Sequence, residues 1–124
     1  MSPKILVADD EPNIVISLEY LLKREGYTVV IARDGQEAVD AILREQPDLV
    51  LLDVMMPKKT GFEVCQEIRA IEAVQATKIL MLTAKGRDTD VAKGLALGAD
   101  AYMTKPFATR ELVQKVAEML GKAS

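Results

Sequence analysis

Leu49-Val50-Leu51-Leu52-Asp53 is an unbroken apolar run closed by a carboxylate. A strand with one face in water alternates apolar and polar residues. A run that is apolar throughout needs cover on both faces, as a central parallel strand has between two layers of helices. Working outward from it, similar short runs recur: Ile5-Leu6-Val7-Ala8 and Val29-Val30-Ile31-Ala32 before it, Ile79-Leu80-Met81-Leu82 and Ala101-Tyr102-Met103 after it. The segments between them carry helical spacing. Ile14, Leu18, Leu21 and Leu22 share a face that stops at Gly26, and Asp34 and Glu37, three apart as in a capping box, open a helix that ends before Pro47. A third helix starts at about Gly61 with Val64, Ile68 and Ile71 spaced for burial; a fourth runs from about Asp88 to Leu97 and is closed by Gly98; a fifth carries Leu112, Val113, Val116 and Leu120 and stops at Gly121.

Strand–helix alternation of this kind predicts an α/β fold: a doubly wound, five-stranded parallel sheet with helices on both faces and right-handed crossovers. At this length the flavodoxin-like strand order 2-1-3-4-5 is the natural one, and ligands in such sheets bind outside the carboxyl ends of the strands. No internal repeat, low-complexity segment or linker interrupts the pattern, so residues 1–124 read as a single domain.

Composition narrows the function classes. The net charge of −3 is mild and its charges are interspersed, which gives no electrostatic case for direct nucleic-acid binding by this segment. No polybasic run marks a membrane surface, no apolar stretch is long enough to span one, and the first residues lack a signal-peptide layout. With Cys65 the only cysteine, no intramolecular disulfide can form, and a cytoplasmic location is expected. Cys65 itself reads as a small packing residue. The chain has no histidine, which removes a histidine-based triad, a histidine-containing zinc site and a histidine phosphocarrier together.

The expected fold says where to look for chemistry. The strand ends bring Asp9-Asp10, Asp53, Thr83 and Lys105 to one rim, although they lie far apart in sequence. Three adjacent carboxylates repel unless a counter-charge is present. Oxygen-only ligands favour a hard ion such as Mg²⁺. The ion and Lys105 would neutralise an incoming phosphoryl group, and Thr83 could donate a hydrogen bond to it, the positioning and electrostatics that phosphoryl transfer requires. A carboxylate is a known nucleophile for that reaction. Each residue alone admits a plainer role: Asp9 and Asp10 before Pro12 as helix caps, Asp53 as the exit from a strand, Lys105 before Pro106 as a solvated loop lysine. Arg87, Asp88 and Asp90 read as a solvated helix start. Their convergence at one end of the sheet is what favours the functional reading.

Over nearly its whole length, Lys4 to about Leu120, the chain resembles the receiver domains of bacterial two-component response regulators, of the chemotaxis-regulator kind. The resemblance is carried by Val7-Ala8-Asp9-Asp10-Glu11-Pro12, Leu52-Asp53-Val54-Met55-Met56-Pro57 with Gly61, Leu82-Thr83-Ala84, Gly98-Ala99-Asp100 and Lys105-Pro106-Phe107. It implies that Asp53 is the phosphoacceptor, that Asp10 ligates Mg²⁺ directly with Asp9 acting through water, and that the Met55 backbone carbonyl is a further ligand. It also implies that Lys105 pairs with the phosphoryl group, that Thr83 turns inward to it with Tyr102 following, and that the Lys105–Pro106 peptide bond is cis. Met55 and Lys85 would flank the path of the attacking water. The module so implied is a switch and not an enzyme in turnover. Its phosphoryl donor would be a sensor histidine kinase or phosphotransfer protein, and its readout an output domain or target protein that senses the fourth helix, fifth strand and fifth helix. Homodimerisation on phosphorylation stays open: Glu111, Lys93, Asp100 and Lys115 could supply charged pairs, but Val91 and Ala101 stand where charges would be expected.

Two rivals fare worse on the residues. An aspartate-nucleophile phosphatase of the haloacid dehalogenase type carries an Asp-x-Asp pair, whereas Val54-Met55 follows Asp53. A flavodoxin-like cofactor binder needs a loop that welcomes a phosphate, and Asp9-Asp10-Glu11-Pro12 would repel one.

Overall fold

A computed structural model describes residues 2–84 and 87–121. Lys85 lies outside the described residues. The elements follow in the order β1 (Lys4–Ala8), α1 (Pro12–Arg24), β2 (Thr28–Ala32), α2 (Gly35–Glu45), β3 (Leu49–Asp53), α3 (Gly61–Arg69), a 3-10 turn (Glu72–Val74), β4 (Lys78–Ala84), α4 (Asp88–Ala96), β5 (Ala101–Lys105) and α5 (Thr109–Met119). The strands form one parallel sheet in the order β2-β1-β3-β4-β5. This is the expected doubly wound topology. None of the described helices is long and apolar enough to cross a membrane.

Successive side chains of a strand point to opposite faces. In β3, Leu49 and Leu51 accordingly join a core with Leu18, Leu22, Leu112 and Val116 of α1 and α5. Val50 and Leu52 join the other core, with Val39 and Ile42 of α2 and Val64 and Ile68 of α3. All four apolar residues are 0 % exposed, so the run that decided the fold is covered on both sides. Cys65 is buried in the second core, where its thiol donates to the Leu97 carbonyl at 3.5 Å and burial pushes its pKa up.

Local signals act close to where they were read, with two differences. The reciprocal capping box sits on α3: the Thr60 hydroxyl accepts from the Glu63 N–H at 3.2 Å and the Glu63 carboxylate accepts from the Thr60 N–H at 2.9 Å. At α2 the Asp34 carboxylate accepts from the Glu37 N–H, but Glu37 reaches past the cap to the Arg33 N–H, so only half a box forms. The expected third helix is also shorter. It ends at Arg69, and Ile71 packs against the core from the residue before the 3-10 turn.

Arg69 closes that end of the molecule. Its guanidinium donates to the Gly98, Gln75 and Thr77 carbonyls and to Asp100, at 2.6–2.9 Å. Asp100 in turn accepts from the Ile79 N–H at 2.8 Å. One side chain thereby ties the approaches to β4 and β5 together. Gly98 makes room for it: its φ is +112°, and a Cβ there would stand 2.8 Å from the Arg69 side chain. Asp100 is thus occupied within the chain, and Lys93 lies over the Phe62 ring at 4.6 Å, so two of the four charges considered for a dimer have partners inside the chain.

Candidate functional site

The parallel sheet sets the carboxyl ends of β1, β3, β4 and β5 along one rim. In register, Ala8 pairs with Leu52, Asp53 with Leu82, Thr83 with Thr104 and Ala84 with Lys105. Asp9 follows β1 directly, Asp53 ends β3, Thr83 is the next-to-last residue of β4, and Lys105 ends β5. The Lys105–Pro106 peptide bond is cis.

Asp9, Asp10 and Asp53 present carboxylate oxygens that all lie within 4.8 Å of one another. Asp9 is 0 % and Asp53 7 % exposed, while Asp10 is exposed. The Lys105 ammonium stands among the acids, 2.8 Å from Asp9 Oδ2, 3.4 Å from Asp53 Oδ1 and 3.6 Å from Glu11 Oε1. Its main partner in this state is therefore Asp9. The other oxygen of Asp9 accepts from the Glu11 N–H at 2.9 Å, which fixes the carboxylate's orientation. Helix capping does not account for the pair, because the residue at the N-cap of α1 is Glu11 and its side chain makes no cap hydrogen bond.

The electrostatics follow from burial. Loss of water raises the Asp53 carboxyl from its ordinary 3.8 to about 6; the charge of Asp9 adds to the rise, and Lys105 and the Met55 backbone N–H oppose it. Burial also works against the Lys105 ammonium, but its hydrogen bond to Asp9 and the charges of Asp53, Asp9 and Glu11 outweigh it and hold its pKa above the usual lysine value.

Gly61 keeps the acidic loop tight. Its N–H donates to the Val54 carbonyl at 2.9 Å, and a Cβ there would stand 2.4 Å from the Asp53 carbonyl oxygen. The backbone folds back on itself directly behind Asp53, and only glycine fits.

Thr83 is 2 % exposed, and among the described residues its hydroxyl is the buried side-chain polar atom without a hydrogen-bond partner. Such an atom carries a desolvation cost that a ligand oxygen can relieve. Tyr102 pairs in register with Met81, two residues before Thr83, so Tyr102 and Thr83 share a face of the sheet. The Tyr102 side chain is 46 % exposed and borders a groove along β5 and α5. Met55 is 67 % exposed beside the acids. Arg87 and Asp90, which had read as part of a solvated helix start, line the cleft over Asp53 together with Met55 and Lys105. Spacing offered no signal for them, because their approach depends on how the chain enters α4.

The donor set suits a hard divalent cation: three carboxylates within ligand range, with no thiolate or imidazole among them. The orphaned Thr83 hydroxyl beside a buried carboxylate and a half-buried lysine suits a further oxyanion.

Comparison with known proteins agrees with this geometry. The family model for the response regulator receiver domain matches residues 5–117. A protein of Chloroflexus aurantiacus provisionally classed as a response regulator is 34 % identical, with a TM-score of 0.94 over 98 % of this chain and 100 % of that one. A chemotaxis response regulator of Vibrio cholerae is 32 % identical, with a TM-score of 0.90 over 96 % of this chain and 99 % of that one. The receiver domain of a sensor histidine kinase of Pseudomonas aeruginosa is 31 % identical, with a TM-score of 0.90 over 98 % of this chain and 100 % of that one; its structure has a magnesium ion coordinated in the active-site cleft. On the family match, the shared sheet order and the convergent acids, the chain belongs to the response regulator receiver domains, the switch modules of two-component signalling systems.

Proposed function

We propose that Asp53 accepts a phosphoryl group from a sensor histidine kinase or phosphotransfer protein. An Asp53 carboxylate oxygen attacks phosphorus, the new O–P bond forms in line with the breaking bond to the donor, and the donor leaves with that electron pair. Asp9, Asp10, Asp53 and the Met55 backbone carbonyl would hold Mg²⁺, which when bound supplies positive charge to the reacting oxygens. The Lys105 ammonium, free to turn from Asp9, binds a phosphoryl oxygen. The Thr83 hydroxyl donates to another.

The observation that carries this reading is the partnerless Thr83 hydroxyl at the same rim as the buried Asp53 carboxylate. The hydroxyl gains its missing partner when Asp53 carries a phosphoryl oxygen. Its movement opens space on the face it shares with Tyr102, whose ring turns in and reshapes the surface of α4, β5 and α5. That surface then signals to an output domain or a target protein. A second copy of the chain is the less supported recipient, since Lys93 and Asp100 are already engaged. The setting is the cytoplasm, where kinase domains meet such modules. As a switch the chain accepts one group and loses it slowly, without catalytic turnover of a separate substrate.

Intact mass after incubation with Mg²⁺ and acetyl phosphate tests the assignment. The expected result is a gain of one phosphoryl that needs Mg²⁺ and vanishes in Asp53→Asn. No gain by the folded wild type, or an equal gain by the variant, would overturn it.

A further inference from the structure

The phosphoacceptor reading leaves Arg87 and Asp90, on the α4 side of the cleft, without a task. The cleft, about 340 Å³ in volume, is bordered by Asp53, Met55 and Lys105 and, from the start of α4, by Arg87 and Asp90. Arg87 Nε donates to Asp90 Oδ2 at 2.8 Å. The pair is lopsided: the arginine side chain is 54 % exposed and the aspartate 14 %. An exposed ion pair between near neighbours on a helix contributes little stability, so the guanidinium is held weakly.

The charge balance gives it a use. With Asp53 phosphorylated, the site holds the Asp9 and Asp10 carboxylates and a phosphoryl group of about −2 charge. A divalent ion and Lys105 leave this sum negative, and Glu11, at 3.6 Å from the lysine, deepens the deficit. One further cation would close it. Lys105 is already counted in that sum, and its charge is shared with Asp9 and Glu11. Arg87 is the remaining cation that borders the described cleft. Its planar fork of N–H donors fits two phosphoryl oxygens at once, a geometry no single lysine reproduces.

We propose that Arg87 is a reserve phosphoryl ligand: it pairs with Asp90 while Asp53 is free, and moves onto the phosphoryl oxygens once Asp53 carries them. This inference rests on Asp53 being the acceptor. It adds a phosphoryl-binding residue at the start of α4, so that the charge change at Asp53 pulls directly on the helix that borders the output surface.

Binding of beryllofluoride, a phosphoryl mimic, in the presence of Mg²⁺ tests it by isothermal titration calorimetry. Arg87→Ala should weaken binding about tenfold, the range of a charge-assisted hydrogen bond at a partly exposed site, and Arg87→Lys should restore only part of it. Asp90→Asn frees the guanidinium and should tighten binding a few-fold when Arg87 is present, about twofold or less in the Arg87→Ala background, where only the general loss of negative charge acts. A merely structural Arg87–Asp90 pair would not produce that coupling. Binding by Arg87→Ala within twofold of wild type, or an equal effect of Asp90→Asn in both backgrounds, would overturn the proposal while leaving Asp53 as acceptor. Failure of the folded wild type to bind beryllofluoride at all would take down the acceptor reading and this inference with it.

Discussion

Asp53→Asn should stabilise the metal-free protein, with a pH dependence that follows from the burial of the carboxyl. In the folded chain Asp53 titrates at about 6 against an ordinary 3.8, because it has lost water and faces Asp9. The sign is that of a raised acid: the fold prefers the neutral form. Below pH 4 the group is protonated in both folded and unfolded chains and costs nothing. Between about pH 4 and 6 the unfolded chain gives up this proton while the folded chain holds it, so stability falls, and above 6 both states are ionised and the full loss remains. At ~1.4 kcal/mol per pH unit of displacement, the full cost is about 3 kcal/mol. The asparagine variant carries no such charge. In chelator it should match the wild type near pH 4 and exceed it by about 2–3 kcal/mol at pH 7.5, or roughly 10 °C in Tm for a domain of this size. Urea unfolding followed by far-UV circular dichroism at pH 4.5, 6 and 7.5 measures this directly. Added Mg²⁺ should narrow the gap from the wild-type side, since ligand binding to the folded state adds stability and the variant has lost one carboxylate. A variant no more stable than wild type at pH 7.5 in chelator, or a gap that ignores pH, would refute the electrostatic account of the site.

Further predictions follow from single contacts. Thr83→Val removes the partnerless hydroxyl at equal volume and should stabilise the unphosphorylated protein by about 1 kcal/mol in thermal unfolding, while abolishing any Tyr102 fluorescence change on phosphorylation. Arg69→Ala removes the donors to Gly98, Gln75, Thr77 and Asp100 and should cost about 2–4 kcal/mol, with faster hydrogen exchange at the Ile79 amide, whose acceptor Asp100 loses its anchor. Gly61→Ala places a Cβ 2.4 Å from the Asp53 carbonyl and should both destabilise the fold by about 2 kcal/mol or more and slow phosphoryl uptake measured by intact mass.

Much of the architecture could be read from the chain because it depends on properties that are local or periodic. Apolar cover on both sides of Leu49–Leu52 required two helical layers, and the alternation of short runs with helical spacing required a parallel sheet. Where reading went astray, competition between nearby partners decided. The Glu37 carboxylate took the Arg33 N–H and not that of the cap, while Thr60 and Glu63 made the full box. Ile71 kept its helical spacing but packs from outside the helix, because α3 ends at Arg69, whose guanidinium turns to the carbonyls beyond.

The sequence by itself determined which residues would meet. A parallel sheet delivers every strand to the same rim, so the residues after β1 and at the ends of β3, β4 and β5 had to converge whatever their separation along the chain. Only the tertiary structure decided what state they meet in. That Lys105 rests on Asp9, that the Thr83 hydroxyl has no partner, that Asp53 resists ionisation, and that Arg87 and Asp90 reach the same cleft are all consequences of distance and exclusion of water. Coulomb energy and desolvation depend on separations of a few ångströms and on burial, and neither quantity is written in the order of the residues.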